Sequence, residues 1–260
     1  MSILETIVRY KKLEVAAKKK VFSINILEQS PLYSQKTRGF ATTLGSTPAG
    51  IIAEFKRRSP SKDVINNKVN IQEVARGYKN AGVACMSVLT DASFFGGSLD
   101  DLLLVKDTVS LPILRKDFII DTYQIAEAKA FGADAILLIA AILTEDELKK
   151  YSAIAKELGL DVLLEIHNET ELQKSLHPTI DIIGVNNRNL KTFKVSVKNS
   201  EDLAAKIPSH YLKISESGIR DVETIQHLKT FGYQGFLIGE NFMKTSNPGA
   251  SAKQFIDQLL

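Results

Sequence analysis

Glu54 and Lys56 stand two apart in a short apolar run, Ile51-Ile52-Ala53-Glu54-Phe55-Lys56, followed by Arg57-Arg58-Ser59-Pro60-Ser61-Lys62. Side chains two apart on an extended strand share a face, so this carboxylate and this ammonium point together while Ala53 and Phe55 point the other way. A run this apolar is expected to be buried on both faces, as in a parallel sheet. An ion pair there carries a desolvation cost, and a chain that bears it is usually placing charge for chemistry. The same device recurs downstream. Lys116 follows Pro112-Ile113-Leu114-Arg115, Glu165 follows Val162-Leu163-Leu164, and Asn186 follows Ile183-Gly184-Val185. Gathered in one place, these side chains could donate a proton, accept one, and hold an anion.

What gathers them is read from the alternation after residue 50. Short apolar runs at Gly50–Lys56, Cys85–Thr90, Pro112–Asp117, Ala135–Ala140, Asp161–Ile166, Ile182–Asn187, Tyr211–Glu216 and Gly235–Gly239 are separated by stretches with helical spacing. The clearest helix is expected over Glu145–Leu158, with Thr144 as N-cap, Glu147 completing a capping box and Gly159 ending it. Eight strand-then-helix units fit either an open doubly wound sheet or a closed eight-stranded barrel. The length suits one barrel, and no G-x-G-x-x-G follows the first run, as a dinucleotide-binding sheet would want. The expected fold is therefore an α/β parallel (TIM) barrel over 49–260 with an N-terminal helical extension over 1–48.

In such a barrel the chemistry lies where strands end. That places Glu54, Lys56 and Ser59 after the first run, Lys116 and Phe118 after the third, Glu165 after the fifth, and Asn186 and Arg188 after the sixth. Ser217-Gly218 and Gly239-Glu240 follow the seventh and eighth, where barrels of this type hold phosphate on backbone N–H groups. The Glu240 side chain is expected to turn away from such an anion. Phe94 and Phe95, in the loop after the second run, could form an aromatic wall. Each residue also has a plainer structural reading: an ion pair for Glu54 and Lys56, a solvated lysine at 116, a turn cap at Asn186, a helix start at Ser217. Cys85 reads as a small core residue, and His167, two after Glu165, is left without a role.

Composition narrows the field. The chain has 260 residues, 44% hydrophobic, and a formal charge of +3, too small an excess to suggest nucleic acid. One cysteine excludes a disulfide framework or thiolate cluster, and the four histidines lack metal-ligand spacing. No run approaches the ~20 apolar residues of a membrane helix, and no secretory h-region opens the chain. A cytoplasmic protein without cofactor or metal, not bound to membrane or nucleic acid, is expected, as a monomer or weak homo-oligomer. No second catalytic domain is expected after Leu260. Leu4 to Val21 reads as a basic amphipathic helix, either capping the barrel with Lys11, Lys12, Lys18, Lys19 and Lys20 in solvent or presenting a surface for an anionic partner.

Together these segments resemble indole-3-glycerol phosphate synthase. The resemblance rests on Ala53-Glu54-Phe55-Lys56-Arg57-Arg58-Ser59-Pro60-Ser61, on Val88-Leu89-Thr90-Asp91 with Phe94-Phe95-Gly96-Gly97-Ser98, and on Leu114-Arg115-Lys116-Asp117-Phe118. It continues through Leu163-Leu164-Glu165-Ile166-His167, Gly184-Val185-Asn186-Asn187-Arg188-Asn189-Leu190, Ser215-Glu216-Ser217-Gly218-Ile219 and Leu237-Ile238-Gly239-Glu240. It implies a phosphosugar-anthranilate substrate, 1-(2-carboxyphenylamino)-1-deoxyribulose 5-phosphate, closed to indole-3-glycerol phosphate with loss of carbon dioxide and water. It implies Lys116 as general acid toward the carbonyl and Glu165 in the proton transfers of dehydration. Lys56 would hold an anionic group, with Glu54 and Asn186 orienting the lysines and a sugar hydroxyl. Ser59, Ser217, Gly218, Gly239 and Glu240 would shape the phosphate end, Leu237 would touch the substrate, Arg188 would meet the carboxylate, and Phe94, Phe95 and Phe118 would wall the anthranilate ring. Phosphoribosylanthranilate isomerase would share the phosphate end, but its shuttle is a cysteine and an aspartate. A non-catalytic phosphate-ligand sensor would have no use for the lysine and glutamate set.

Overall fold

The computed structural model describes residues 2–190 and 192–260. Eight parallel strands close into a barrel in chain order, each paired with its neighbours and the last with the first. They are β1 (Ile51–Phe55), β2 (Cys85–Leu89), β3 (Ile113–Lys116), β4 (Ala135–Ile139), β5 (Asp161–Ile166), β6 (Ile182–Asn186), β7 (Leu212–Glu216) and β8 (Gly235–Ile238). Three helices precede the barrel: α1 (Ile3–Val21), α2 (Ile24–Glu28) and α3 (Phe40–Ser46). Around it run α4 (Ile71–Ala81), α5 (Ala92–Phe95), α6 (Leu99–Thr108), α7 (Tyr123–Ala130), α8 (Glu145–Glu157), α9 (Glu169–Ser175), α10 (Lys198–Ala204), α11 (Val222–Thr230), α12 (Glu240–Met243) and α13 (Pro248–Leu259). Several strands stop one residue short of the apolar run, because the ladder ends where the chain turns into the loop. The capping box of α8 forms as the sequence suggests, with Thr144 and Glu147 bonding reciprocally.

Strand parity splits the core into two layers. Ile51, Ala53 and Phe55 face outward into the layer between sheet and helices. Ile52, Cys85, Leu114, Ala135, Leu137, Leu163, Ile182, Ile214 and Leu237 fill the barrel itself. Phe40 and Leu44 of α3 join that inner layer and are fully buried, so α3 plugs the end of the barrel where the strands begin. Burying two such side chains is worth roughly 3–6 kcal/mol. Cys85 lies against the plug, its Sγ 3.6 Å from the Phe40 carbonyl.

At the opposite end α1 lies over the barrel, with Ile3, Leu4 and Ile7 reaching the cavity there. One expectation is corrected. Lys11 is not in solvent but buried, on the same stripe as Ile7 and Val15. Its ammonium sits 3.0 Å from Asp91, 3.0 Å from Asp117 and 2.8 Å from Glu14. Lys18 and Lys19 also have partners, Glu127 at 3.2 Å and Asp121 at 2.9 Å. Lys11, Lys18 and Lys19 therefore tie α1 to the barrel, while Lys12 and Lys20 are exposed as expected. Among the described residues no helix is long and apolar enough to cross a membrane.

Candidate active site

Inward parity carries each charged group to one mouth. Glu54 lies one layer above Ile52, Lys116 above Leu114, Glu165 above Leu163, Asn186 above Gly184 and Glu216 above Ile214. They open on a cavity of about 380 Å³. Lys56 Nζ sits 2.6 Å from Glu54 Oε1. Lys116 Nζ sits 3.1 Å from Glu165 Oε2 and is also ion-paired with Glu216. Asn186 Nδ2 donates to Glu165 Oε1 at 3.1 Å, while its own Oδ1 accepts from the Arg188 N–H at 2.9 Å. The Asn186 side chain thus fixes both Glu165 and the start of the next loop.

Two glycines make room for this crowd. A Cβ at Gly184 would fall 2.4 Å from Glu216 Oε1, and one at Gly239 would fall 2.5 Å from Glu54 Oε1. After β7 the chain turns sharply, with Ser217 at φ 68° and Gly218 at φ 81°. A serine in the left-handed region is uncommon and marks a loop held in place by its surroundings. Here the Asn187 amide donates to the Ser217 carbonyl at 3.1 Å and to Ser215 Oγ at 2.9 Å, and Ser200 closes the buried network.

Charge in this mouth is tightly balanced. Burial disfavours the Lys116 ammonium, but Glu216, Glu165 and Glu54 outweigh it and hold its pKa above the ordinary lysine value. Burial also works against ionised Glu165, yet Lys116, His167 and the Asn186 hydrogen bond bring its pKa below the usual carboxylate range. Glu216 goes the other way: burial, reinforced by Glu165 and Glu54, pushes it up to about 7 despite Lys116. Three carboxylates face two ammonium groups, so one carboxylate carrying a proton brings the set to neutrality.

Ser59, Phe95, Phe118, Arg188, Ser217, Gly218, Leu237, Gly239 and Glu240 line the same cavity. The rings of Phe95 and Phe118 lie 5.8 Å apart on one wall. The Glu240 side chain is at the rim, half exposed and 3.2 Å from Lys62. Phe94 is the exception. It does not line the cavity but packs edge-to-face on Tyr10 of α1, ring centres 5.6 Å apart. Consecutive residues of a helical turn point about 100° apart, so only one of the two phenylalanines in α5 can face inward. Glu216 is the group that sequence reasoning passed over. Its signal was present, because Ile214-Ser215-Glu216 repeats the parity of Ile52-Ala53-Glu54. Among the described residues no group of three or more His, Cys, Asp or Glu could hold a metal ion.

A closed parallel (β/α)8 barrel with paired ammonium and carboxylate groups at the strand ends defines a barrel enzyme of the acid–base type. Solved structures agree on the fold. A 3-hexulose-6-phosphate synthase from Salmonella typhimurium superposes with a TM-score of 0.63 at 12% identity, over 81% of this chain and 99% of that one. A tryptophan synthase complex from Pyrococcus furiosus gives 0.60 at 16% identity, over 80% and 96%. Sequence relatives are far nearer. An indole-3-glycerol phosphate synthase of Bacteroides thetaiotaomicron is 47% identical over 257 residues, 99% of this chain and 98% of that protein. One of Caldanaerobacter subterraneus is 46% identical over 259 residues, again 99% and 98%. The family model for indole-3-glycerol phosphate synthase matches residues 4–255. The chain belongs to the indole-3-glycerol phosphate synthase family, carboxy-lyases of tryptophan biosynthesis.

Proposed function

We propose that this mouth closes the indole ring of 1-(2-carboxyphenylamino)-1-deoxyribulose 5-phosphate with Lys116 as the general acid. The reaction needs a proton on the ketone oxygen as the aromatic carbon attacks, release of the carboxylate as carbon dioxide, a second proton on that oxygen so that it departs as water, and removal of a proton from the ring carbon beside nitrogen, which restores to Lys116 the proton it gave. The observation that carries the reading is the Lys116 ammonium, buried between Glu165 and Glu216 in the one cavity that also holds Lys56. The two carboxylates keep Lys116 charged. A substrate that draws either of them into its own hydrogen bonds loosens that hold and brings the ammonium toward the range of a useful acid.

Glu165 serves the proton transfers of dehydration, oriented by Asn186. Lys56 takes an anionic group of the substrate, with Glu54 orienting it, and the fork of Arg188 suits the carboxylate. The backbone of Ser217-Gly218 and Gly239-Glu240, with Ser59, faces the phosphate, and Phe95 and Phe118 face the anthranilate ring. A cytoplasmic setting belongs to the same reading, supported by the family's place in amino-acid biosynthesis.

Incubation with the substrate should produce growing indole fluorescence, which this chain, with no tryptophan, does not mask. Lys116→Ala should lower turnover by at least the ~10²–10⁴ of a positioned general acid, with an unchanged unfolding midpoint. Near-normal turnover in that variant rules the assignment out.

A further inference from the structure

Four buried side-chain atoms lack a hydrogen bond among the described residues; one, Glu216 Oε1, belongs to the cavity lining, and another, His167 Nε2, stands behind it next to Glu165. The histidine is the more telling. It follows Glu165 by two, one residue past the end of β5, and its ring turns to the same carboxylate. Its Nε2 stands 3.5 Å from Glu165 Oε1 without a hydrogen bond. Its Nδ1 stands 3.2 Å from Glu171 Oε2 on α9. Glu171 is itself fixed, accepting the His167 backbone N–H at 2.8 Å and the Asn168 amide at 2.8 Å.

The donors and acceptors constrain the protons. An ionised carboxylate only accepts, so Nδ1 carries hydrogen toward Glu171. If Nε2 and Glu165 were both unprotonated, a lone pair would face a carboxylate. One proton between them removes the conflict, as imidazolium beside carboxylate or as imidazole beside carboxylic acid. The charged groups facing the ring are Glu165 on its own strand, Glu171 on α9 and Glu216 on β7. Lys116 lies beyond Glu165, on the other oxygen, Oε2. Burial disfavours the imidazolium, but the three carboxylates outweigh it and hold the His167 pKa above the ordinary value.

The proposed reaction has a matching need. A substrate carboxylate leaves as neutral carbon dioxide while the other charges are unchanged, so each turnover consumes one proton from outside the substrate. We propose that His167 is a proton reservoir for Glu165, delivering that proton while substrate covers the cavity. Nε2–H passes to Glu165 Oε1, and the Glu165 acid then gives it to the departing hydroxyl, which leaves as water. After product release, cavity water returns a proton to Nε2 through Glu165. Glu171 keeps Nδ1–H throughout, so the ring never changes tautomer. His167 acts through Glu165 and is thus a positioning and supply residue, and the idea rests on the Glu165 reading above.

The test compares His167→Gln, Glu171→Gln and Glu165→Gln across pH 5.5–9 with saturating substrate. In the parent protein kcat should fall as pH rises through the titration of His167. His167→Gln keeps an N–H for Glu165 but cannot ionise. It should lose that basic limb and run about tenfold slower at neutral pH, less than the ~10²–10⁴ of a directly positioned group, with KM within about twofold. Added imidazole buffer should restore its kcat and leave the parent unaffected. Glu171→Gln keeps the hydrogen bonds but removes a charge, so the basic limb should move to lower pH. An unchanged limb and unchanged kcat in His167→Gln overturn the reservoir. If Glu165→Gln is inactive alongside that result, only the reservoir falls. If Glu165→Gln itself turns over normally, the underlying reading of Glu165 falls with it.

Discussion

At the scale of single residues, the mouth is organised by what is missing beside the charges as much as by the charges. Glu216 reaches Lys116 because position 184 has no side chain. Gly184→Ala would set a Cβ 2.4 Å from Glu216 Oε1 and 3.1 Å from Leu163 Cδ1. The carboxylate is the freer neighbour, so it should swing aside and give up Lys116 while the barrel stays closed. Overpacking of this kind costs about 1–3 kcal/mol. The expected result is a folded protein with kcat down about tenfold or more, the lower end of what a displaced proton-transfer partner costs. Wild-type kcat in Gly184→Ala would mean that Glu216 is dispensable.

Much of this was legible beforehand, and the physical reason is the period of two. Parity alone puts Glu54 with Lys56, and Lys116, Glu165 and Asn186 at the tops of their strands. Glu216 obeys the same parity, but in the sequence it stands beside Ser217-Gly218, whose suitability for an anion is the stronger local signal. Phe94 and Phe95 cannot be told apart in the sequence, because neighbouring positions in a loop have no parity; only the short helix α5 decides which ring faces in.

At the scale of elements, the helix α1 does more than cover the mouth. Its apolar stripe passes through Ile7 and Val15, and Lys11 lies midway, four residues from each. By composition this looked like one more solvated lysine. The spacing said otherwise, but a buried lysine needs carboxylates from elsewhere in the chain, and no local pattern reveals them. Asp91 and Asp117 supply them from the loops after β2 and β3. Asp91 also caps α5, which carries Phe95, and Asp117 follows Lys116 directly. Arg115 completes the cluster with Asp117 at 3.1 Å and Glu127 at 2.7 Å. Removing one partner of a buried ion set costs about 3–5 kcal/mol, because the charges left behind stay desolvated. Lys11→Met should therefore lower the unfolding free energy by about that amount in urea titration. A loss below about 1 kcal/mol, the value of an exposed pair, would show that α1 is held by its apolar stripe alone.

At the scale of the whole molecule, the buried mouth ties folding to pH. Asp117 and Glu165 titrate below the ordinary range in the folded protein. Burial opposes this, but Lys11 and Arg115 prevail at Asp117, and Lys116 at Glu165. The stability they contribute is present above the unfolded carboxylate values and is lost as pH falls through the folded ones. Glu216 has the opposite sign. Its carboxyl is raised from 4.5 to about 7, so the folded state holds a proton that the unfolded state has released. That contribution is complete below about 4.5 and is lost as pH rises through about 7. His167, also raised, keeps its contribution below the ordinary histidine value of 6.5 and loses it as pH rises from there through its folded pKa. Between pH 5 and 7 Glu216 should therefore dominate, and the unfolding free energy should decline by up to about 1.4 kcal/mol per pH unit for the proton it holds. Glu216→Gln has no carboxyl to titrate there and keeps an amide of the same shape. Urea unfolding of both proteins at half-unit intervals should show the parent losing stability relative to Glu216→Gln as pH rises through this window, the curves running parallel below it. Parallel curves throughout would mean that Glu216 is ionised in the folded protein and that the proton in the mouth resides elsewhere.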